Sequence, residues 1–411
     1  MPKLHFLVFL PLVAFLSCNT TGPIEGKSSI SLSIDDVSCT EAWLRIKTSN
    51  ISLPKNVTIF KDNQVLQTVN LVKSDTLLYF ESLQCNRNYS FRCITQKNFE
   101  TITSEEISLQ TLDTTSNNIS WQTFVLGSST IQSTFDDVQI IDDENIWVTG
   151  ALFQNDSLGN LDTDIYNLIK WNGINWKSER VYYYDHYGSK NLSEISSLFV
   201  FNENDIWLGD YTHWNGSKFI SVDLNIPLPY YILRSWGYSF NNFYIVGNSG
   251  MIASHLQNNW VKIESGTTDN ITDIWGADGL IYCASNHEII QIKDNISGIL
   301  EIHPEWYIGS VWFKNSNKLF ASGSGVFEKS NNKWKTTNTE NYNIQMIRGI
   351  DYNNIFGIST GGMITHYNGN TWTNFTMPNG ATYRSVAVKG KTVVCVGDNS
   401  IFGVITIGEM N

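Results

Sequence analysis

The chain has 411 residues and a formal net charge of −12. Because it is acidic and contains no run of Lys or Arg, nucleic-acid binding is disfavoured. A charged fraction of 16% and abundant Asn, Ser and Thr are typical of an all-β protein with polar turns, and after the first 18 residues no segment is apolar enough to cross a bilayer.

The first segment, Met1–Cys18, is typical of a secretion signal: a basic residue, an apolar stretch too short for a stable span, and a small residue before a Cys. Its end, Phe15-Leu16-Ser17-Cys18, resembles the bacterial lipobox. That resemblance implies lipidation of Cys18, with secretion without a lipid as the alternative. Asn19 in the next position implies the outer membrane, and residues 19–27 are interpreted as a polar tether.

Residues 28–112 alternate apolar and polar side chains with a period of two, which predicts a β-sandwich of seven short strands. The predicted strands are Ser29–Ile34, Ala42–Thr48, Asn56–Lys61, Gln64–Asn70, Thr76–Phe80, Asn88–Thr95 and Ile107–Thr111.

The stretch Leu83–Arg92 resembles the start of the sixth strand of a fibronectin type III domain, in which a Tyr, here Tyr89, closes a corner. The resemblance implies that Trp43, in the second strand, lies in the core. It also implies that the connections carrying Cys39 and Cys85 lie at the same end, so a disulfide between them is predicted for an oxidising compartment. Residues 113–118 are a predicted linker.

After residue 130, one pattern occurs seven times with a period of about forty residues: strand, polar turn, strand, strand, and a last strand near Trp or Phe. This repeat predicts a seven-bladed β-propeller of four-stranded blades over residues 119–411. The repeats are Phe135–Trp176, Ile195–Phe219, Tyr231–Trp260, Ile271–Leu300, Ile308–Trp334, Met346–Trp372 and Tyr383–Gly408.

The last repeat lacks its outer strand, because the chain stops at Asn411. Residues 119–126 resemble the outer strands of the other repeats. We therefore predict that they complete the seventh blade and remove its exposed edge.

One position in the second strand of each repeat carries a large apolar side chain. Its recurrence in every repeat favours packing between sheets over a platform on which bases or sugars stack. The slot is occupied by Trp147, Trp207, Tyr244, Tyr282, Phe320, Phe356 and Val394. The remaining Cys residues, Cys93, Cys283 and Cys395, lie within predicted strands and are interpreted as core residues. No Cys pair has zinc-site spacing, so neither a metal nor another cofactor is predicted.

The innermost strands supply the best candidate site. Aligned positions on these strands read Gln139, Ser197, Arg234, Asp273, Ser310, Arg348 and Arg384. If they face the axis, Arg234, Arg348 and Arg384 converge with Asp273 at one level of a channel. Such guanidinium groups are suited to bind a carboxylate, a sulfate or an acidic glycan. The alternative is a structural ring satisfied by Asp273 and water.

Three other groups are weaker candidates. His213, His255 and His366 recur at one third-strand slot and are expected on a solvated polar face around the ring. The carboxylates Asp142-Asp143-Glu144 occupy a turn, which explains them. The sequence Asp162-Thr163-Asp164 matches a glycosyltransferase metal motif, but it lies in an insertion of the first repeat and does not follow a strand of a nucleotide-binding fold.

As a whole, the chain resembles bacterial envelope lipoproteins that join a type III-like sandwich to a propeller. The most specific stretches are Asp36–Leu44, Asn202–Trp207 and Ile263–Thr268. Similar sequences often carry the name glucosyltransferase. The resemblance implies a membrane-anchored protein of the outer membrane, facing the periplasm or the surface. We expect a binding or scaffold module for a glycan, an anionic ligand or a protein, and the alternative is a carbohydrate-active enzyme; the catalytic residues of such an enzyme are unknown.

Overall fold

The computed structural model describes residues 26–184, 187–209, 212–222, 231–256, 259–303, 305–337, 339 and 342–411. The predicted signal peptide and its lipidation site, Cys18, lie outside the described residues. All regular structure in the described part is β, which confirms the all-β class. It accordingly holds no helix of the length and apolarity needed to span a membrane.

The N-terminal part of the chain forms eight strands. They are β1 Ser29–Val37, β2 Ala42–Ser49, β3 Lys55–Lys61, β4 Gln64–Leu71, β5 Asp75–Phe80, β6 Asn88–Lys97, β7 Glu100–Thr103 and β8 Ile107–Gln110. One sheet has the order β1-β2-β5, and the other has the order β4-β3-β6-β7 with β8 also paired to β6. The seven predicted strands are confirmed, and β7 is an additional strand that the sequence pattern did not predict.

Contacts divide the chain into two compact units. The first contains the described residues through Ile34 together with Leu44–Leu78 and Tyr89–Ser108. Its core includes Ile46, Ile59 and Phe91, which are fully buried. The second unit contains Asp35–Trp43, Tyr79–Asn88 and Leu109–Asn411. Two short segments from the strand-rich N-terminal part therefore belong to the larger unit.

The described residues of the second unit contain thirty further strands, of which the first thirteen end before residue 248. These thirteen are β9 Ile119–Leu126, β10 Thr134–Asp142, β11 Asn145–Leu152, β12 Tyr166–Trp171, β13 Trp176–Glu179, β14 Tyr183–Tyr184, β15 Lys190–Asn191, β16 Leu198–Asn202, β17 Asp205–Leu208, β18 Thr212–Trp214, β19 Phe219–Ser221, β20 Ile232–Ser239 and β21 Asn242–Gly247.

The later strands continue the same pattern. They are β22 Met251–Leu256, β23 Asn259–Glu264, β24 Asp273–Ala277, β25 Leu280–Ser285, β26 Glu288–Lys293, β27 Ile296–Ile302, β28 Ile308–Asn315, β29 Lys318–Gly323, β30 Gly325–Ser330, β31 Lys333–Thr336, β32 Met346–Asp351, β33 Asn354–Ile358, β34 Met363–Tyr367, β35 Trp372–Thr376, β36 Thr382–Lys389, β37 Thr392–Asp398 and β38 Gly403–Met410.

These strands form seven four-stranded antiparallel sheets within the described residues. The orders are β10-β11-β12-β13, β16-β17-β18-β19, β20-β21-β22-β23, β24-β25-β26-β27, β28-β29-β30-β31, β32-β33-β34-β35 and β36-β37-β38-β9. We call the first strand of each order the inner strand. Neighbouring inner strands contact one another in sequence order, and β36 contacts β10, so the series of contacts is cyclic.

The predicted pairing of residues 119–126 with the C-terminal strand is confirmed. β9 pairs with β38 along its whole length, from Ile119 opposite Met410 to Leu126 opposite Gly403. Ile119 and Trp121 pack in the core shared with the preceding sheet, whereas Phe124 and Leu126 pack in the core shared with β10 and β11. The last sheet is therefore held from both sides through a strand that comes from the start of the unit.

The predicted slot is core at six of its seven positions, and Tyr282 at the remaining position is half-buried against the core. Trp147, Trp207 and Tyr244 are 4–5% exposed, and Phe320 and Phe356 are fully buried. Each lies opposite an inner-strand residue, for example Tyr244 opposite Trp236. The large side chains at the repeated position therefore fill the space between neighbouring sheets.

Candidate functional site

The candidate site lies where the inner strands of the second unit begin. Several of these strands carry a β-bulge near their start, at Asp136 in β10, Leu233 in β20, Gly309 in β28 and Arg384 in β36. A bulge leaves one residue out of the ladder and turns its side chain away from the regular alternation. The bulges therefore account for two charged side chains, Asp136 and Arg384, at this end of the unit.

A cavity of about 340 Å³ opens at this end. We call it the mouth cavity. Its lining consists of Arg234, Thr272, Asp273, Tyr307, Gly309, Asn343, Gln345, Met346 and Arg384. These residues come from the starts of five inner strands, so the cavity is formed only when the sheets are assembled. Two guanidinium groups and several neutral hydrogen-bonding side chains make the lining polar.

Arg348 and Asp273 form a closed ion pair. The guanidinium donates to both carboxylate oxygens of Asp273, at 2.5 and 2.9 Å. Ser310 donates to the same carboxylate at 2.5 Å, and Asp273 is 1% exposed. The Arg348 guanidinium also lies over the ring of Trp275, 5.0 Å from its centroid. The hydrogen-bond donors of Arg348 are therefore used by Asp273, which agrees with the alternative that this residue has a structural role.

Arg384 is paired but accessible. Its Nε and Nη2 both lie 3.1 Å from an oxygen of Asp398, and 43% of its side chain is exposed. Its Nη1 lies 4.0 Å from Asp136. Asp398 therefore uses the Nε and Nη2 edge of the guanidinium of this cavity-lining residue.

Arg234 differs from both. Its Nη1 donates to the carbonyl oxygens of Leu233 at 2.8 Å and Ser196 at 3.4 Å, and its Nη2 donates to that of Arg384 at 3.0 Å. Its Nε is buried without a hydrogen-bond partner. Among the described residues, no carboxylate lies within ion-pair distance of Arg234. Carbonyl dipoles hold this guanidinium in place but do not neutralise its charge.

Beside these arginines, Asp136 and Glu194 form a carboxyl pair. Burial, together with the adjacent Glu194, raises the pKa of Asp136 to about 8, although Arg384 and Arg234 oppose the shift. Two carboxyl groups in contact cannot both ionise readily, so the pair retains a proton near neutral pH. Glu194 also accepts a hydrogen bond from Thr134 at 3.0 Å.

A second cavity, of about 230 Å³, lies next to the first and shares Arg234 and Met346 with it. Aromatic side chains of the inner strands, Phe199, Trp236 and Trp275, contribute to its wall with Arg348 and Asp137. Asp137 accepts hydrogen bonds from Ser385 and from the main-chain N–H of Leu198, at 2.7 and 2.9 Å. It therefore ties β10 to strands on both sides, as Asp273 ties β24 to β28.

The predicted alignment of the channel residues is wrong in part. Asp273 pairs with Ala284, whereas Arg348 lies opposite Phe356 of the aromatic slot and Gln139 lies opposite Trp147 of that slot. Gln139 and Arg348 are thus two residues further along their strands than Asp273, and Arg384 is a bulge residue. The three arginines do not form one level. Sequence reasoning also missed Asp136, Asp137, Glu194 and Asp398, because bulges shift the register without a marker in the repeat.

The weaker candidates are placed as follows. The Asp162 carboxylate accepts a hydrogen bond from Arg180 at 2.5 Å, and the Asp164 main-chain N–H donates to Asp162. Asp142 accepts from the Glu144 main-chain N–H at 2.9 Å, which confirms the turn interpretation of that acidic run. Among the described residues, no group of His, Cys, Asp and Glu is arranged to hold a metal ion.

The expectation of a solvated histidine face is wrong for two of its three members. His255 is 3% exposed and His366 is fully buried. His366 stacks on Phe356 and is hydrogen-bonded to Asn117 and Asn354. Its burial disfavours the charged imidazolium and lowers the pKa of His366 to about 4. His255 is also one residue out of the predicted slot, because it lies opposite Phe243 and not Tyr244.

Cys39 and Cys85 are neighbours in the second unit, but each is a free thiol. Burial and the adjacent Cys85 raise the pKa of Cys39 to about 12. Cys39 Sγ also lies 3.3 Å from the carbonyl oxygen of Asp113. The predicted disulfide between these residues stays a prediction.

Comparison with solved structures identifies propellers. YCF48 bound to a D1 peptide has 14% sequence identity and a TM-score of 0.52, covering 71% of this chain and 97% of that chain. YCF48 from Cyanidioschyzon merolae has 12% identity and a TM-score of 0.50, covering 70% and 98%. The extracellular domain of BT4673 from B. thetaiotaomicron has 10% identity and a TM-score of 0.50, covering 69% of this chain and 39% of that chain. No family model and no curated protein matches the chain. At these identities the similarity establishes the propeller fold alone.

Proposed function

We propose that this chain is a binding or scaffold module whose mouth cavity takes an anionic group of a ligand or partner protein. The observation that carries the proposal is Arg234, a guanidinium that lies in the wall of an open cavity and has no carboxylate partner among the described residues. An uncompensated charge in a partly desolvated site favours an anion, and the guanidinium geometry suits a carboxylate or a sulfate.

The proposed scaffold is a seven-bladed propeller formed by the seven four-stranded sheets, with β9 as the outer strand of the last blade. The cyclic contacts of the inner strands support this arrangement. A closed ring holds the strand starts at fixed separations, so the donors around the cavity are preorganised and a ligand need not order them.

Arg384 and the neutral side chains complete the proposed anion site. Arg384 supplies a second, accessible guanidinium, and Thr272, Asn343 and Gln345 offer further hydrogen-bonding groups. Arg348 is proposed to have a supporting role, since its donors are used by Asp273. This assignment separates the three arginines that the sequence pattern treated alike.

A protein ligand is favoured by analogy with the fold. YCF48 is a propeller of similar extent that binds a D1 peptide. An acidic glycan remains the other ligand class for the same cavity.

A carbohydrate-active enzyme is not favoured, because the Asp162 carboxylate of the metal-motif sequence is held by Arg180. Nucleotide release from nucleotide sugars, lost in Asp162→Ala, would reverse that choice.

For the N-terminal part we propose a fibronectin type III-like sandwich at residues 28–112 and a lipid anchor at Cys18 that places the protein in the bacterial envelope. In that oxidising setting, the neighbouring thiols of Cys39 and Cys85 are proposed to form the disulfide. Intact mass before and after reduction tests the disulfide, and metabolic labelling with a fatty acid tests Cys18.

The anion site is tested by titrating the protein with glutarate, glucuronate and sulfate and following the spectrum or the heat of binding. We expect Arg234→Ala to weaken binding by roughly tenfold or more, the usual cost of losing a charged hydrogen-bond donor. Lys177→Ala, which removes an exposed positive charge from β13, is the matched control. Equal affinities of wild type and Arg234→Ala would overturn the proposed site.

A further inference from the structure

Exposed tyrosines are concentrated at the same end of the second unit as the mouth cavity. Tyr184, Tyr187, Tyr231, Tyr307 and Tyr342 are exposed by 55, 82, 76, 39 and 41%. We call this set the tyrosine rim. Every member lies in a connection that leads from the outer strand of one sheet to the inner strand of the next.

The rim lies at the end of the unit where the inner strands begin, which is also where the cavity opens. Tyr231 and Tyr307 directly precede β20 and β28, and Tyr307 itself lines the cavity. Tyr342 adjoins Asn343, another lining residue. Tyr184 and Tyr187 belong to the connection that contains Ser196, whose carbonyl oxygen accepts a hydrogen bond from Arg234.

The opposite end of the unit has a different composition. The turns between first and second strands there are built from polar residues, such as Asp142-Asp143-Glu144 and Asn202-Glu203-Asn204. Tyr238, near the far end of β20, is an exposed tyrosine on that side, at 45%. Folding alone gives no reason to leave large rings in water at one end, and tyrosine is enriched where proteins bind partners.

We propose that the tyrosine rim and the mouth cavity together form a docking surface for an acidic polypeptide segment. The proposal rests on the proposed function, since a carboxylate of the segment occupies the cavity beside Arg234. Tyrosine side chains contribute apolar contact area and a hydroxyl at small entropic cost, and they act as anchors around a central charged contact.

Charge and geometry favour this occupant over others. A second copy docked through the same face would bring Arg234 and Arg384 against their own counterparts. Beside the rim, the Lys190 ammonium lies over the ring of Tyr182, 3.7 Å from its centroid. That ammonium adds a positive charge to the rim, which complements an acidic segment.

The test uses fluorescent 12-residue peptides, each Asp- and Glu-containing peptide paired with its Asn and Gln counterpart, and fluorescence polarisation. We expect acidic peptides to bind better than their neutral counterparts. The Tyr231→Ala/Tyr342→Ala variant is expected to weaken peptide binding by roughly tenfold and to retain glutarate binding. Tyr238→Ala, at the opposite end, is the control and is expected to bind as wild type does.

The outcomes separate this inference from the function on which it rests. Unchanged peptide affinity in the double variant overturns the rim, even if glutarate still binds. Binding to polygalacturonate oligosaccharides and to none of the acidic peptides also overturns it. Tyrosine-dependent peptide binding without glutarate binding supports the rim and instead refutes the anion site in the cavity. Thermal unfolding confirms that the variants are folded, since both substituted rings are exposed.

Discussion

At the residue scale, the same side chain has different roles according to its partners. Arg348 is neutralised by Asp273 with two hydrogen bonds, whereas main-chain carbonyls are the partners of Arg234 among the described residues. Replacing Arg348 would leave a buried carboxylate unpaired, which is costly. Arg234 has no carboxylate within ion-pair distance among the described residues, so replacing it breaks no ion pair there. The proposed binding role and the stabilising role therefore belong to different arginines of the same cavity wall.

The Asp136–Glu194 pair predicts a pH dependence of stability. The pKa of Asp136 is near 8 in the folded chain and near its ordinary value when unfolded, so folding retains a proton between these pH values. The protonated form makes its full contribution to the free energy of unfolding below about pH 4. This contribution is lost as the pH rises towards 8, by up to about 1.4 kcal/mol per pH unit. Asp136→Asn, which imitates the protonated form, should therefore gain stability relative to wild type across that range.

The measurement is chemical denaturation of both proteins at pH 5, 7 and 9. The difference between variant and wild type should grow with pH and level off above about 8. Asp136→Asn/Glu194→Gln should show less than the sum of the single effects, because one proton serves the pair. A difference that shrinks with rising pH would contradict the assignment.

At the element scale, the segment Asp35–Trp43 shows how a short stretch is held within the second unit. Trp43 is 2% exposed and packs with Tyr79 and Tyr352, at 5.5 and 6.0 Å between ring centroids. The prediction that Trp43 is buried is confirmed, but its neighbours include residues more than 300 positions away. Alternation of apolar and polar residues predicts that a side chain is buried, but it does not predict which residues surround that side chain.

The same segment contributes Glu41 to a buried ion cluster. Lys318, in β29 and 2% exposed, lies 2.7 Å from Glu41 and 3.1 Å from Glu328. Burial alone would lower the pKa of Lys318, but the two carboxylates raise it; burial likewise opposes ionisation of Glu41, but Lys318 lowers its pKa. Lys318→Met should reduce the free energy of unfolding by about 3–5 kcal/mol, because it leaves two buried carboxylates without a cation.

Chemical denaturation at pH 7 measures this loss, with Lys333→Met in the exposed strand β31 as the control. Adding Glu41→Gln and Glu328→Gln to Lys318→Met should recover part of the stability. Wild-type stability in the single variant would show that the cluster contributes nothing net.

At the scale of the whole second unit, the critical contact is the pairing of β9 with β38. Eight residue pairs join them, and the Thr123 and Thr406 hydroxyls are 3.0 Å apart. Without β9, the outer edge of β38 would be unpaired and the cores on both sides of the last sheet would lose Trp121 and Phe124. Closure is thus both a hydrogen-bonding and a packing interaction.

Thr123→Pro in the full chain should disrupt this pairing. Proline removes a main-chain donor and restrains the backbone, so we expect a loss of about 3 kcal/mol or more and faster amide exchange throughout Gly403–Met410. Hydrogen exchange read by mass spectrometry checks the location, and Gln122→Ala, which retains its N–H, is the control. Unchanged protection of β38 would show that β9 does not stabilise the last sheet.

By itself the sequence determined the all-β class, the repeating strand pattern, the apolar slot between sheets and the strand at residues 119–126 that completes the last sheet. These features follow from periodicity and turn composition, which act over a few residues. Only the tertiary structure decided where the bulges fall and which arginine meets which carboxylate. Arg348 and Asp273 are 75 residues apart, and Arg234 and Arg384 are 150 apart. Contacts at that separation depend on how the sheets pack, and a one-residue bulge redirects a side chain without changing the pattern that precedes it.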